Sequence, residues 1–164
     1  MAQAILSTRG LRFVFYIHFM KTILIALDQN EESEKLLEYG QKLASKFDSK
    51  VCLVHIATPE PDFVGYKVGP QYIRDFRAKE LKEEHKYLVD LAETLSRQGI
   101  EAQGALLEGF TADMIVEESE KLEADLIILG SHKHSFLYRV FVGDTTESVL
   151  KKSKIPVLVI PVSD

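Results

Sequence analysis

"KTILIAL" (Lys21–Leu27) runs straight into "DQNEE" (Asp28–Glu32), and the change between the two decides the fold. The first stretch is short, apolar and rich in β-branched residues, as a strand buried on both faces is. The second is polar. Asn30 can cap a helix there, and Glu31 and Glu32 sit well against its positive end. Leu36, Leu37, Gly40, Leu43, Ala44 and Phe47 then recur at helical spacing. A buried strand that gives way to an amphipathic helix is the unit of a parallel sheet covered by helices.

The same change repeats along the chain. "KVCLVHI" (50–56) reads as a second buried strand, and the loop over 57–70 holds three of the five prolines and two glycines. From Gln71 to about Gln98, Ile73, Phe76, Leu81, Leu88, Leu91 and Leu95 mark one side of a long charged helix, closed by Gly99. "IEAQGALLE" (100–108) is a weaker, partly polar strand, as expected near a sheet edge. Thr111 can cap a helix carrying Met114, Ile115 and Leu122. "ADLIILG" (124–130) is a fourth strand, followed by a helix from about Thr145 to Lys152. The last strand, "IPVLVIPV" (155–162), contains Pro156 and Pro161, which cannot donate to a ladder and place it at an edge or a subunit contact. Five strands alternating with helices predict an α/β protein with a parallel sheet, and the absence of repeats or linkers predicts one domain over 20–164.

Residues 1–19 stand apart. "LRFVFYIHFM" (11–20) is apolar and aromatic, too short to span a bilayer as a helix, and without a small-residue cleavage site. The expectation is that Met20 is the natural start and 1–19 an extension, with a peripheral strand or anchor as the second reading.

Composition narrows the partners. The 164 residues are 46% hydrophobic and 27% charged, so the chain can bury a core. A net charge of −5 without a long basic run argues against nucleic acid and against an anionic membrane surface. Cys52 is alone, so no disulfide forms within the chain, which fits a cytoplasmic location. There is no Gly-x-Ser-x-Gly elbow, Walker loop or metal-ligand cluster, and no residue stands out as a general base, so enzymatic activity is at most slow ATP hydrolysis. His132 and His134 alone fall short of a zinc site.

In such a sheet, ligands sit beyond the carboxyl ends of the strands, where the chain order reverses. The candidates are Asp28 and Gln29, His55 to Thr58, and the loop after Gly130. His55 is expected to be a structural, hydrogen-bonded histidine.

"ILIALD" (23–28), "VCLVHI" (51–56), "ADLIILGSH" (124–132) and "VGDTTESVLKKSKIPVLVIPV" (142–162) together resemble the universal stress protein family, over about Lys21 to Val162. The resemblance implies a three-layer α/β/α, adenine nucleotide alpha hydrolase-like fold with five parallel strands ordered 3-2-1-4-5. It places the loops after strands one and four side by side. It also implies a homodimer through the last strand, which is apolar enough for that role. Members that bind ATP carry Gly, two residues, Gly, nine residues, Gly, then Ser or Thr. Gly130 and Gly143 match this pattern, whereas Lys133 and Asp144 replace the second glycine and the hydroxyl residue. The nucleotide contacts so implied are Ala26, Asp28, Val51, Gly130, Ser131, His132, Lys133, Gly143, Asp144 and Thr145.

Both departures fall in the phosphate-binding half. Lys133 can replace lost backbone contacts with a charge-assisted one. Asp144 with Glu147 has the pattern of a capping box, which sets a carboxylate where a phosphate would go. A bridging Mg²⁺ would reverse that repulsion. Two functions follow: a small dimeric stress-response regulator that binds AMP, ADP or ATP, or a relative that binds no nucleotide and works through an unidentified protein partner.

Overall fold

The computed structural model describes residues 7–8, 11–12, 20–28, 33–57, 70–131 and 144–162. Within it, β1 (Thr22–Ala26), β2 (Lys50–Ala57), β3 (Ala102–Glu108), β4 (Leu126–Ser131) and β5 (Val157–Pro161) form one sheet. Every pairing is parallel and the order is β3-β2-β1-β4-β5, as the family resemblance implied. Near the amino terminus, Ser7–Thr8 pairs antiparallel with Leu11–Arg12 in a separate two-residue ladder.

Period-two alternation divides the apolar strands between two cores. Ile23, Ile25, Val51, Leu53, Leu126 and Ile128 turn to one face. There they meet Leu36 and Ala44 of α1 (Ser33–Phe47) and Leu88, Ala92 and Leu95 of α2 (Gln71–Arg97). Leu24, Val54, Ile56, Ile127 and Leu129 turn to the other. There they meet Ile115 of α3 (Thr111–Lys121) and Val149 of α4 (Asp144–Lys152). The central strands β1, β2 and β4 are buried on both faces, which is why they read as unbroken hydrophobic runs.

The two edges are the strands with weaker sequences. β3 contains no fully buried residue, and in β5 only Ile160 is buried. Pro156 precedes β5 and Pro161 ends it, so neither removes a donor from the middle of the ladder. On α2, Lys79–Glu83 and Lys86–Asp90 pair at 3.8 and 2.5 Å at i,i+4 spacing, so the charge run there is a solvated face.

Two local expectations change, and one joint is new. Thr111 does not cap α3. It is the first helical residue, and Phe110 holds the cap position with no side-chain cap bond. α4 starts at Asp144 rather than Thr145. A joint not singled out in the sequence ties the sheet's two halves together: Asp125 Oδ2 accepts the N–H groups of Lys21 at 2.6 Å and Thr22 at 3.0 Å. That carboxylate aligns the start of β1 with the start of β4.

Candidate functional site

The strand order puts the switch point between β1 and β4, because the chain leaves β1 toward β2 on one side and returns as β4 on the other. Ile25 faces Ile128 in that pairing. Continuing the register sets Asp28 level with Ser131, so the ends of β1 and β4 lie side by side. Asp28 is exposed there. Its carbonyl accepts the hydroxyl of buried Ser33, which pins the turn to the first residue of α1.

On the other flank, His55 Nδ1 lies 2.7 Å from the Leu27 carbonyl oxygen, and Leu27 N–H donates to Val54 O at 2.8 Å. His55 therefore locks the end of β2 to the end of β1, the structural part foreseen for it. Ala26 ends β1, with its side chain packed against the second core. Its backbone is what it can offer the cleft.

Gly130 and Ser131 end β4, opposite Ile160 and Pro161 of β5. A Cβ on Gly130 would stand 3.3 Å from both Val162 methyls and 3.5 Å from Leu36 Cδ1. The missing side chain thus makes room for packing between α1 and the β5 end. The face of Gly130 left to a ligand is its peptide edge. The Gly130 carbonyl is already engaged, accepting the Thr146 hydroxyl at 3.0 Å. Thr146 is 4% exposed, so this bond fastens the first turn of α4 to the sheet beside the cleft. Sequence reading passed over Thr146. Its neighbour Thr145 was chosen instead and is exposed on the same turn.

Thr146→Val keeps the branched shape and removes the donor. It is expected to lower unfolding free energy by about 1 kcal/mol, as loss of one partly buried hydrogen bond does. Urea unfolding measures this, and a stability equal to the parent's means the hydroxyl does not hold the helix.

Val51 stands at the opposite end of its strand from the level of Asp28 and Gly130. It is the second residue of β2, opposite Ile23 near the start of β1, and its N–H donates to Glu101 O at 2.8 Å. Six residues of extended chain separate it from Ala57, roughly 20 Å at the rise of a strand. Hydrophobic periodicity identifies a buried strand but does not say which end faces the ligand. The β2 residues near the cleft are His55, Ile56 and Ala57, the last two buried.

His132, Lys133 and Gly143 lie outside the described residues, as does the side chain of Asp144. The proposed capping box therefore lies outside them as well, although Glu147 Oε1 pairs with Lys151 Nζ at 2.6 Å. Among the described residues no group of three or more His, Cys, Asp or Glu side chains could hold a metal, and no helix is long and apolar enough to cross a membrane. Cys52 is buried and accepts Gln103 Nε2 at 3.3 Å; burial pushes its thiol up, away from the reactive thiolate.

A parallel five-stranded sheet between two helix layers, in the strand order β3-β2-β1-β4-β5, is that of the adenine nucleotide alpha hydrolase-like class of α/β protein. The family model described as "Universal stress protein family" matches residues 20–161, so the chain belongs to the universal stress protein family. Universal stress protein MJ0531 of Methanocaldococcus jannaschii is 30% identical over 141 residues, covering 85% of this chain and 81% of the relative. The solved structure of MJ0577, reported as a structure-based assignment of biochemical function, is 26% identical with a TM-score of 0.71, covering 89% of this chain and 97% of that one. A universal stress protein from Archaeoglobus fulgidus, solved in complex with dAMP, shares the fold at 21% identity and a TM-score of 0.58, covering 85% of this chain and 97% of that one.

Proposed function

We propose that this chain is a stress-response regulator that binds an adenine nucleotide in the cleft between the ends of β1 and β4, with AMP or ADP preferred over ATP. The observation that carries the reading is the parallel register of β1 with β4, which sets Asp28 beside Gly130 and Ser131. An exposed carboxylate next to half-buried strand-end residues at a switch point suits a ribose hydroxyl and a first phosphate. The complex of the Archaeoglobus fulgidus relative with dAMP, a ligand with one phosphate, supports the same choice.

Lys133 and Asp144 shape the rest. The Lys133 ammonium attracts a phosphate. Asp144 opens α4 with a negative charge where the helix end would otherwise attract one. Each added phosphate therefore meets more repulsion, unless Mg²⁺ bridges the carboxylate and the phosphate. The working unit is 20–164, with 1–19 an extension to it. Two copies join through the outer edges of β5, where Val157, Leu158 and Val159 are only partly buried.

Calorimetric titration with AMP, ADP and ATP, each with and without Mg²⁺, tests the reading. We expect AMP and ADP to bind in the micromolar range, and ATP to bind more weakly without Mg²⁺. Absence of heat and of thermal shift with all three nucleotides rejects it. The replacements at 133 and 144 would then mark a relative that acts through protein contacts alone.

A further inference from the structure

The end of β3 carries a side chain that neither the helix nor the core uses. Glu108 closes β3 opposite Ala57, and the Gly109 N–H donates to the Ala57 carbonyl at 3.2 Å. Gly109 has φ +154, and a Cβ there would lie 2.6 Å from Met114 Cγ, so this turn admits only glycine. Phe110 follows in an extended conformation, with φ −76 and ψ 116. Its carbonyl accepts the Met114 N–H at 3.0 Å and opens α3.

This backbone is held from both sides, yet the phenyl ring is 80% exposed, more than any other exposed large hydrophobic among the described residues. Helix cap positions favour Ser, Thr, Asp or Asn, whose oxygens bind free N–H groups, and phenylalanine offers none. The ring stabilises neither α3 nor the core. What distinguishes it is its place on the carboxyl rim of the sheet.

The strand order gives that place a meaning. Crossing the rim from β4 to β3 passes Gly130–Ser131, Asp28, Ile56–Ala57 and then Phe110. Three strand spacings make this about 14 Å, close to the span of a mononucleotide. A phosphate at the β4 end and a ribose at Asp28 leave the base over the end of β2, where Ile56 and Ala57 are apolar and buried. We propose that Phe110 is the specificity-determining aromatic of the cleft, a face on which a purine base stacks. The proposal rests on the nucleotide reading above, and adds to it what part of the ligand is recognised at β3.

The chain has no tryptophan, so Phe110→Trp introduces a single tryptophan at the rim, excited apart from the six tyrosines at long wavelength. AMP is expected to quench its emission, and ribose 5-phosphate, which lacks the base, is expected to leave it unchanged. Phe110→Ala is expected to weaken AMP about fivefold by calorimetry, the low end for loss of a base–aromatic stack, with an unaltered melting temperature. Phe110→Leu, which keeps bulk without the ring, is expected to recover only part of the loss. AMP binding to the parent chain with neither quenching in Phe110→Trp nor weakening in Phe110→Ala overturns this inference and leaves the nucleotide reading standing. Failure of AMP to bind the parent chain overturns both.

Discussion

Gly104→Ala is expected to lower the unfolding free energy by about 3 kcal/mol, the upper part of the range for overpacking a dense interior. A Cβ at Gly104 would stand 2.7 Å from the backbone carbon and oxygen of Leu88 and 2.8 Å from its Cβ. None of those atoms can turn aside, because two are main chain of α2 and the third is fixed directly to it. The whole helix must lift from β3, and Leu88, Ala92 and Leu95 lift with it. For a chain of this size that loss lowers the melting temperature by about 9 °C.

Gly40 on α1 makes the useful comparison. An added Cβ there meets chiefly Ile25 Cδ1, the end of a side chain that can rotate, and alanine is the better helix former. Gly40→Ala is therefore expected to change stability by less than about 1 kcal/mol. Urea unfolding of the two variants checks the pair. Equal losses would mean that close approach of helix backbone to sheet is not what fixes Gly104.

Asp144→Ser is expected to tighten ATP by about tenfold in the absence of Mg²⁺ and to change AMP much less. Asp144 is the first helical residue of α4, so serine there gives up only a favourable charge at the helix start and α4 should keep its start. What disappears is a negative charge at the start of α4. Two like charges about 5 Å apart near a protein surface repel by about 3 kcal/mol before salt screening. Screening brings this near the 1.4 kcal/mol that corresponds to tenfold. Added Mg²⁺ should narrow the gap between variant and parent, since the metal already offsets the carboxylate. Titration of both proteins with ATP and AMP decides the matter. Unchanged ATP affinity would remove the repulsion from the account.

The layout of the sheet was legible because burial leaves a plain mark on sequence. β1, β2 and β4 touch helices on both faces and so read as unbroken apolar runs, while Gln103 and Gly104 betray β3 as an edge. The long helix ending near Gln98 was readable from its stripe and from Gly99, which has φ +84. Strand order is not a local property, and it came from the family resemblance. The site was harder to read. Val51 and His55 lie on one strand of similar composition, and only the pairing shows that one stands at the foot of the cleft wall and the other at its rim. Thr146 and Asp125 act through single hydrogen bonds to distant backbone, which no periodicity reveals. Phe110 was hidden for a different reason: a cap was expected at Thr111, and nothing in the sequence says that the phenylalanine in front of it stays exposed.

The joint made by Asp125 spans 104 residues of chain, from Lys21 to the start of β4. During synthesis β1 leaves the ribosome about a hundred residues before β4 does. At 5–20 residues per second the wait is about 5–20 s. Throughout it the flank of β1 destined for β4 shows bare amide and carbonyl groups between isoleucine and leucine side chains. An unpaired hydrophobic edge of that kind recruits neighbouring nascent chains. Newly made copies on one polysome thus face their greatest risk of aggregating before β1 has met β4, and a chaperone that shields the first hundred residues would raise the yield.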